Sequence, residues 1–231
     1  MTSVIHGKFE HEETEATFSR TTLFSGAHYL VIRDKKEAAY VCSYIAKLGD
    51  KADFMSLFQK AISKDFDPDR HLGRIGLANQ TTMLMSESLE LGVLIRDAMM
   101  DRYGADLANH FRAFDTICSA TQDRQDAVVR LLDVESLDLM IVVGGYNSSN
   151  TCNLARMCGP KLPTFHIAAP DGLMSATDIR HKPVGGAEER ISTGWLPLVG
   201  PVSIGLTSGA STPDNLVETV VRRLDDLTNR P

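Results

Sequence analysis

The sequence predicts an α/β fold in which mostly parallel sheets are flanked by helices. Short runs rich in β-branched residues alternate with helical patterns along the chain, which is typical of parallel sheets covered by helices. Three predicted strands end in Ser, Thr, Asn or Gln residues directly before a helix, within 77–84, 143–152 and 204–214. The length of 231 residues suits one large or two small domains. We predict two units, residues 1–107 and 108–231.

Each element follows from its local pattern. The predicted strands are 3–6, 28–33, 73–78, 137–144, 163–168 and 201–206. The predicted helices are 12–20, 35–48, 53–63, 86–102, 121–133, 149–158 and 212–227. Cys42 lies on the apolar face of helix 35–48 and is assigned to the core. The last helix opens on Ser211 or Thr212 as its cap, with Pro213 in its first turn. The Gly- and Pro-rich segment 170–200 is predicted as a long loop with at most one short helix.

Composition narrows the class of protein. The net charge of −6 gives no sign of a nucleic-acid-binding surface, which would need clustered Lys and Arg. No apolar run approaches the ~20 residues of a membrane span. The start of the sequence, MTSVIHGKFEHEE, does not contain the apolar core of a signal peptide. It also lacks the Arg- and Ser-rich, acid-poor composition of a transit peptide. The cysteines Cys42, Cys118, Cys152 and Cys158 form no CxxC pair, so we expect reduced thiols.

The three polar turns predict an anion site. Each places hydroxyl groups and backbone N–H groups at a helix N-terminus, where the helix dipole favours negative charge. Ligands of α/β sheets also bind at the carboxyl ends of the strands. Neutral donors of this kind can surround a diphosphate while the pocket stays small and dry. We therefore expect a phosphate-bearing ligand.

Each signal also has a structural alternative. Ser and Asn are common N-caps, so the NSSN stretch alone is typical of ordinary helix capping. His11 and Glu13 follow the first strand, where a solvated helix start would also place acidic residues. Cys118 precedes a helix; it is either a small buried core residue or a thiolate ligand with a pKa lowered by the helix start. Trp195 is assigned to packing.

Six motifs in one order extend these signals over nearly the whole chain, from about residue 4 to 227. They are HGKFEHEET, YVCSYI, GLANQTTML, TICSATQDRQDAV, VVGGYNSSNT and IGLTSGASTPD. Together they closely resemble the LytB family of 4-hydroxy-3-methylbut-2-enyl diphosphate reductases. The sequences of the motifs are most like those of the plant and cyanobacterial branch of this family.

The resemblance implies a fold, an activity and partners. Family enzymes have three similar α/β units around a [4Fe–4S] cluster. They remove the allylic hydroxyl of the substrate reductively, giving isopentenyl and dimethylallyl diphosphate in the last step of the non-mevalonate isoprenoid pathway. The resemblance further implies a ferredoxin-type electron donor. It also implies that the protein is located in the plastid stroma if the organism is a eukaryote, or in the cytoplasm if it is a cyanobacterium. We also consider that two copies of the chain form a homodimer.

The motifs also carry roles for single residues. By resemblance, Cys118 is one cluster ligand, Glu13 relays protons to the leaving hydroxyl, and Thr81 is the active-site threonine. The resemblance makes His11 a substrate-binding residue. The implied diphosphate site consists of Ser148, Ser149, Asn150 and Ser211.

One departure from the family pattern is large. The family has a further unit before the motif at residue 4, with two more cluster cysteines and a substrate-binding histidine. We therefore interpret the sequence as the C-terminal two units of a reductase, either a fragment or a truncated gene model. The alternatives are a non-catalytic diphosphate-binding remnant or partner of the full enzyme, and, less favoured, a generic phosphate-binding α/β protein. The sequence upstream of Met1 would discriminate between the first two.

Overall fold

The computed structural model describes residues 1–134, 136–197 and 199–228. The chain divides into two compact units, Met1–Cys118 and Ser119–Pro231. This boundary follows Cys118 rather than residue 107, because the strand Phe111–Ala113 pairs with the sheet of the first unit. Each unit is an α/β layer structure of its own.

The first unit contains four strands and six helices among its described residues. The strands are β1 (Thr2–His6), β2 (His28–Ile32), β3 (Ile75–Asn79) and β4 (Phe111–Ala113). The helices are α1 (Glu12–Thr21), α2 (Lys35–Ile45), α3 (Lys51–Leu57), α4 (Pro68–His71), α5 (Met85–Tyr103) and α6 (Leu107–His110), with a 3-10 turn at Gly104–Asp106.

The sheet of the first unit is parallel, with strand order β2-β1-β3-β4. Its central strand β1 is buried on both faces. Val4 belongs to the large core shared with α2 and α5, while Ile5 packs on the opposite face with Phe18 of α1. His6 pairs with Asn79, so the loops after β1 and β3 leave the sheet at the same edge.

The described residues of the second unit form two small sheets. Its strands are β5 (Leu139–Val143), β6 (Thr164–Ile167), β7 (Asp178–His181), β8 (Arg190–Thr193) and β9 (Ile204–Ser208). Its helices are α7 (Ser119–Val134), α8 (Ser149–Cys158) and α9 (Asp214–Thr228), with a 3-10 turn at Pro170–Gly172.

The parallel sheet of the second unit has strand order β6-β5-β9. The alternation of side chains along β5 separates two cores. Leu139, Ile141 and Val143 pack on the α9 side. Met140 and Val142 pack with residues of α7 and α8. Both units therefore confirm the predicted α/β class with parallel sheets between helices.

The predicted long loop at 170–200 is wrong in part. β7 and β8 form an antiparallel pair within it, and Trp195 closes the segment by donating from its indole N–H to the Ser175 carbonyl at 3.0 Å. Trp195 is buried, as its assignment to packing requires. Strands of four residues with charged members, such as Arg190–Thr193, give too weak a pattern for sequence-based assignment.

No helix within the described ranges combines the length and the apolar character that a bilayer span requires.

Candidate functional site

Helix α1 presents the first group of predicted site residues. His11 is the N-cap of α1, and its Nδ1 accepts a hydrogen bond of 3.3 Å from the backbone N–H of Glu13. Capping satisfies one of the N–H groups that a helix start leaves without an intrahelical partner. It also fixes Glu13 in the first turn, with its side chain half-buried.

The Glu13 carboxylate is held by the turn that follows β3. Its Oε2 accepts hydrogen bonds from Thr81 Oγ1 at 2.8 Å and from Thr82 Oγ1 at 3.2 Å. A purely solvated helix start would not bring two hydroxyl donors to one carboxylate oxygen. The Glu13 carboxylate is therefore fixed by the turn after β3 and is not simply solvated at the helix start.

The buried side chain of Gln80 holds the residues around Glu13 in place. The sequence analysis did not identify Gln80 as a site residue. The side chain is 1% exposed. Its Oε1 accepts from the Lys8 N–H at 3.0 Å and from Thr14 Oγ1 at 3.2 Å, and its Nε2 donates to Thr82 Oγ1 at 2.8 Å. Buried amides keep all their bonds only in one orientation. The available signal was its position directly before Thr81 in the QTT motif.

Cys118 lies beside the same group of residues. Its backbone N–H donates to the Thr81 carbonyl at 3.2 Å, immediately before α7 begins. Its side chain is exposed, so the alternative that Cys118 is a buried core residue is wrong. The first unit thus brings together Glu13, Thr81 and Cys118, with His11 at the same helix start.

The other cysteines are poor candidates for metal ligands. Burial raises the pKa of Cys42 and of Cys158 to about 11, which disfavours the thiolate form. The Cys152 thiol donates to the Tyr146 carbonyl at 3.2 Å. Within the part of the chain that the structure describes, no group of three or more His, Cys, Asp or Glu residues could hold a metal ion. These residues alone do not fit a [4Fe–4S] cluster, which relies on several thiolates.

The N-terminus of α8 holds the second group of predicted site residues. Ser148 is the N-cap, and its hydroxyl accepts from the Thr151 N–H at 3.3 Å. Ser149 and Asn150 are only 4% and 3% exposed. Yet the Ser149 hydroxyl and both polar atoms of the Asn150 amide have no hydrogen-bond partner among the described residues. Buried polar groups without partners are rare in folded proteins, because leaving them unpaired is costly.

The turn after β9 packs against this helix start. The Gly209 N–H donates to the Val143 carbonyl at 3.0 Å, and Thr212 Oγ1 donates to the same carbonyl at 3.2 Å. A Cβ added to Gly144 would lie 2.7 Å from Thr212 Oγ1 and 2.8 Å from Thr151 Oγ1. Glycine at this position lets the two turns approach closely. Ser211 lies in the same turn and is exposed.

This second group is suited to an anion. The first turn of a helix offers backbone N–H groups and the positive end of its dipole. The unpartnered Ser149 hydroxyl and Asn150 amide add neutral donors at the same place. Each of the two groups of site residues lies within one unit.

Two curated proteins with similar sequences carry the name of the enzyme family that the motifs resemble. The chain is 52% identical over 225 residues to a protein of Synechococcus sp. (strain RCC307) named 4-hydroxy-3-methylbut-2-enyl diphosphate reductase, covering 96% of this chain and 53% of the relative. A protein of Gloeobacter violaceus with the same name is 48% identical over 228 residues, covering 98% of this chain and 53% of the relative. The chain thus spans about half the length of the curated relatives it matches.

A solved structure agrees at the level of the fold. The E-1-hydroxy-2-methyl-but-2-enyl-4-diphosphate reductase of Plasmodium falciparum aligns with a TM-score of 0.58 at 18% identity, covering all of this chain and 53% of that one. A family model described as LytB protein matches residues 1–225. On this match over nearly its whole length, the chain belongs to the LytB family.

Proposed function

We propose that this chain supplies the proton-donating and diphosphate-binding parts of a 4-hydroxy-3-methylbut-2-enyl diphosphate reductase. The complete reaction removes the allylic hydroxyl of the substrate and gives isopentenyl and dimethylallyl diphosphate. The observation that carries the proposal is the continuous set of contacts from the Cys118 backbone through Thr81 to the Glu13 carboxylate. A proton donor is thereby fixed beside a thiol at the start of a helix.

Glu13 has the chemistry that loss of a hydroxyl requires. A hydroxyl leaves as water only if its oxygen receives a proton, and positioned general acids contribute ~10²–10⁴-fold to such steps. The Thr81 and Thr82 hydroxyls hold one carboxylate oxygen of Glu13. Its other oxygen is then the one that carries the proton toward the substrate. In this proposal Thr81 contacts the substrate hydroxyl and His11 contributes to substrate binding.

The diphosphate would bind at the start of α8. Ser149 and Asn150 would donate to the phosphate oxygens, and this bonding would satisfy groups that are otherwise buried without partners. Ser211 would approach from the adjoining turn, and Ser148 would keep the helix start in shape as its cap.

The iron–sulfur cofactor belongs in this proposal to the complete protein. Cys118 would supply one ligand, and the remaining ligands would come from outside the residues described. The relatives, which are about twice as long, leave room for them. We further propose a ferredoxin-type electron donor, with a homodimer as the alternative source of ligands. The compartment would be the cytoplasm in a cyanobacterium or the plastid stroma in a eukaryote.

A second candidate function has one observation in its favour. The anion site at α8 lies wholly within the second unit and needs no cysteine. The chain could therefore bind diphosphates without catalysis, as a partner of a complete enzyme. The two functions differ in whether a proton donor at Glu13 matters for turnover.

The decisive experiment restores a complete protein. The N-terminal half of a cyanobacterial relative is fused to this chain, and turnover is compared between the wild-type fusion and its Glu13→Gln variant. Glutamine keeps the size and hydrogen-bonding reach of glutamate but has no proton to give. We expect substrate binding to change little while turnover falls about 100-fold or more.

The matched control is Glu12→Gln, which removes the same charge from the exposed neighbour in the same helical turn. It should leave turnover within about twofold, because acidic residues there only favour the helix start. An active fusion whose Glu13→Gln variant turns over within about threefold of the wild type would remove Glu13 from the mechanism.

A further inference from the structure

Two basic side chains hold the β5–α8 turn (residues 144–148) from one side. His166 Nε2 lies 2.9 Å from the Gly144 carbonyl and must donate to it, because a carbonyl oxygen only accepts. Lys182 Nζ donates to the Tyr146 carbonyl at 3.5 Å and lies 5.9 Å from the centre of the Tyr146 ring. The two are joined through the backbone, since the Lys182 N–H donates to the His166 carbonyl at 2.8 Å.

The hydrogen bonds to the Gly144 and Tyr146 carbonyls also fix the direction of the backbone N–H groups of the residues that follow. The carbonyl of one residue and the N–H of the next belong to one planar peptide group and point in opposite directions. With the Gly144 and Tyr146 carbonyls turned toward His166 and Lys182, the N–H groups of Gly145 and Asn147 point away from them. Both residues are exposed, and no described residue accepts a hydrogen bond from either amide. These two exposed N–H groups are therefore available to a bound anion.

Lys182 also brings charge to a site whose predicted donors are all neutral. Its side chain is half-buried, so its field is screened less than that of a fully exposed lysine. Glu189 lies nearby, but it contacts the Tyr146 hydroxyl at the tip of the ring, away from the carbonyl that Lys182 holds. Burial lowers the pKa of His166, and the Lys182 ammonium adds a smaller effect in the same direction.

We infer that Lys182 is a positioning residue for the anion site at α8: it holds the β5–α8 turn together with His166 and supplies positive charge to the bound diphosphate. This inference rests on the proposed binding of diphosphate to Ser149 and Asn150. It adds a residue from the β7–β8 segment, which lies outside the motifs that point to the site.

The test is calorimetric binding of inorganic diphosphate to the full chain at two salt concentrations. We expect Lys182→Met to weaken binding about five- to twentyfold and to reduce its dependence on salt, because a cation near the ligand is lost. Lys182→Arg should bind within about threefold of the wild type, since the charge and a donor are kept. Lys161→Met is the matched control, because it removes the same charge at the far end of α8 and should change binding less than about twofold.

A second readout covers the case in which Lys182→Met fails to fold. In the wild type, diphosphate should shift the amide NMR signals of Gly145 and Asn147, and Lys182→Gln should reduce those shifts. Binding by Lys182→Met with the affinity and salt dependence of the wild type would overturn the inference, and so would a loss of affinity with unchanged salt dependence. Failure of the folded wild type to bind diphosphate would instead refute the proposed site itself, and this inference with it.

Discussion

Ser148 and Ser149 are adjacent in sequence but differ in what their hydroxyls do. The Ser148 hydroxyl accepts from a backbone N–H of α8 and completes the helix start. The Ser149 hydroxyl is buried without a partner among the described residues. The hydrogen bond of Ser148 contributes to folding stability, whereas in the proposed function the Ser149 hydroxyl gains its hydrogen bond when a ligand binds. The same contrast separates His11, a cap, from Glu13, whose carboxylate is presented by Thr81 and Thr82.

This contrast predicts opposite effects for two alanine substitutions. Ser148→Ala should lower the free energy of unfolding by about 1 kcal/mol, the usual cost of a lost N-cap. Ser149→Ala should leave the unfolding free energy unchanged or slightly higher, because it removes a polar group that the fold does not satisfy. Diphosphate affinity should fall by about 1.5–3 kcal/mol in Ser149→Ala, the range for a lost hydrogen bond to a charged group.

Urea unfolding and calorimetry measure the two quantities on the same samples. The control is wild-type protein with and without diphosphate, since a ligand of the folded state raises its apparent stability. A Ser149→Ala variant that is destabilised as much as Ser148→Ala, with unchanged diphosphate binding, would assign both serines to the fold alone.

At the scale of elements, the proposed anion site depends on close contact between two turns. A Cβ at Gly209 would overlap Thr151 Oγ1, which is in the first turn of α8. No heavy atom lies within 4 Å of a Cβ placed on Gly145. The two glycines therefore differ in the space around them, although both lie near the start of the same helix.

We expect Gly209→Ala to lower the free energy of unfolding by about 1–3 kcal/mol, as overpacking of buried sites does. Thr151→Ala in the same background removes the clashing atom, so the double variant should recover part of the loss. Gly145→Ala, the control, should change stability by less than about 0.5 kcal/mol. A Gly209→Ala protein with wild-type stability in urea would show that the turns are packed less tightly than described.

Sequence reasoning succeeded where local signals decide an element. Helix α8 is predicted at 149–158 and observed at Ser149–Cys158, because Ser148 is a strong cap and an apolar pattern follows it. Helix α3 begins at Lys51 rather than at residue 53, since Asp50 caps it. The four-residue helix α4 and the pair β7–β8 were not predicted. Such short elements are stabilised by tertiary contacts more than by their own residues.

The site shows the same limit. The motifs place Glu13, Thr81 and Cys118 far apart in the sequence, and the fold brings them together. That Thr82 also donates to Glu13, and that Gln80 holds Thr82, depends on how loops from two parallel strands meet at one edge of the sheet. Residue spacing alone does not encode which hydroxyl donates to which acceptor. The roles of the predicted residues in binding and catalysis stay predictions.

At the scale of the whole chain, the two units carry different parts of the proposed function. In the proposed function, the first unit supplies the proton donor Glu13 and the thiol of Cys118, and the second unit supplies the anion site at α8. Among the described residues Cys118 is the one candidate cluster ligand, because Cys42 and Cys158 are buried with raised pKa values and the Cys152 thiol donates to the Tyr146 carbonyl. We therefore propose that the functional groups are divided between this chain and another part of the protein. This chain holds the groups that bind and protonate the substrate, whereas a stable [4Fe–4S] cluster needs ligands from elsewhere.

Iron and sulfide analysis after anaerobic reconstitution of this chain alone tests that division most directly. Because one thiolate fixes a cluster poorly, we expect far less than one cluster per chain in protein that still binds diphosphate. A Cys118→Ala control should retain the same low iron and sulfide content. One cluster per chain in the wild type, lost in Cys118→Ala, would contradict the account by showing that this chain or its dimer completes the cluster site.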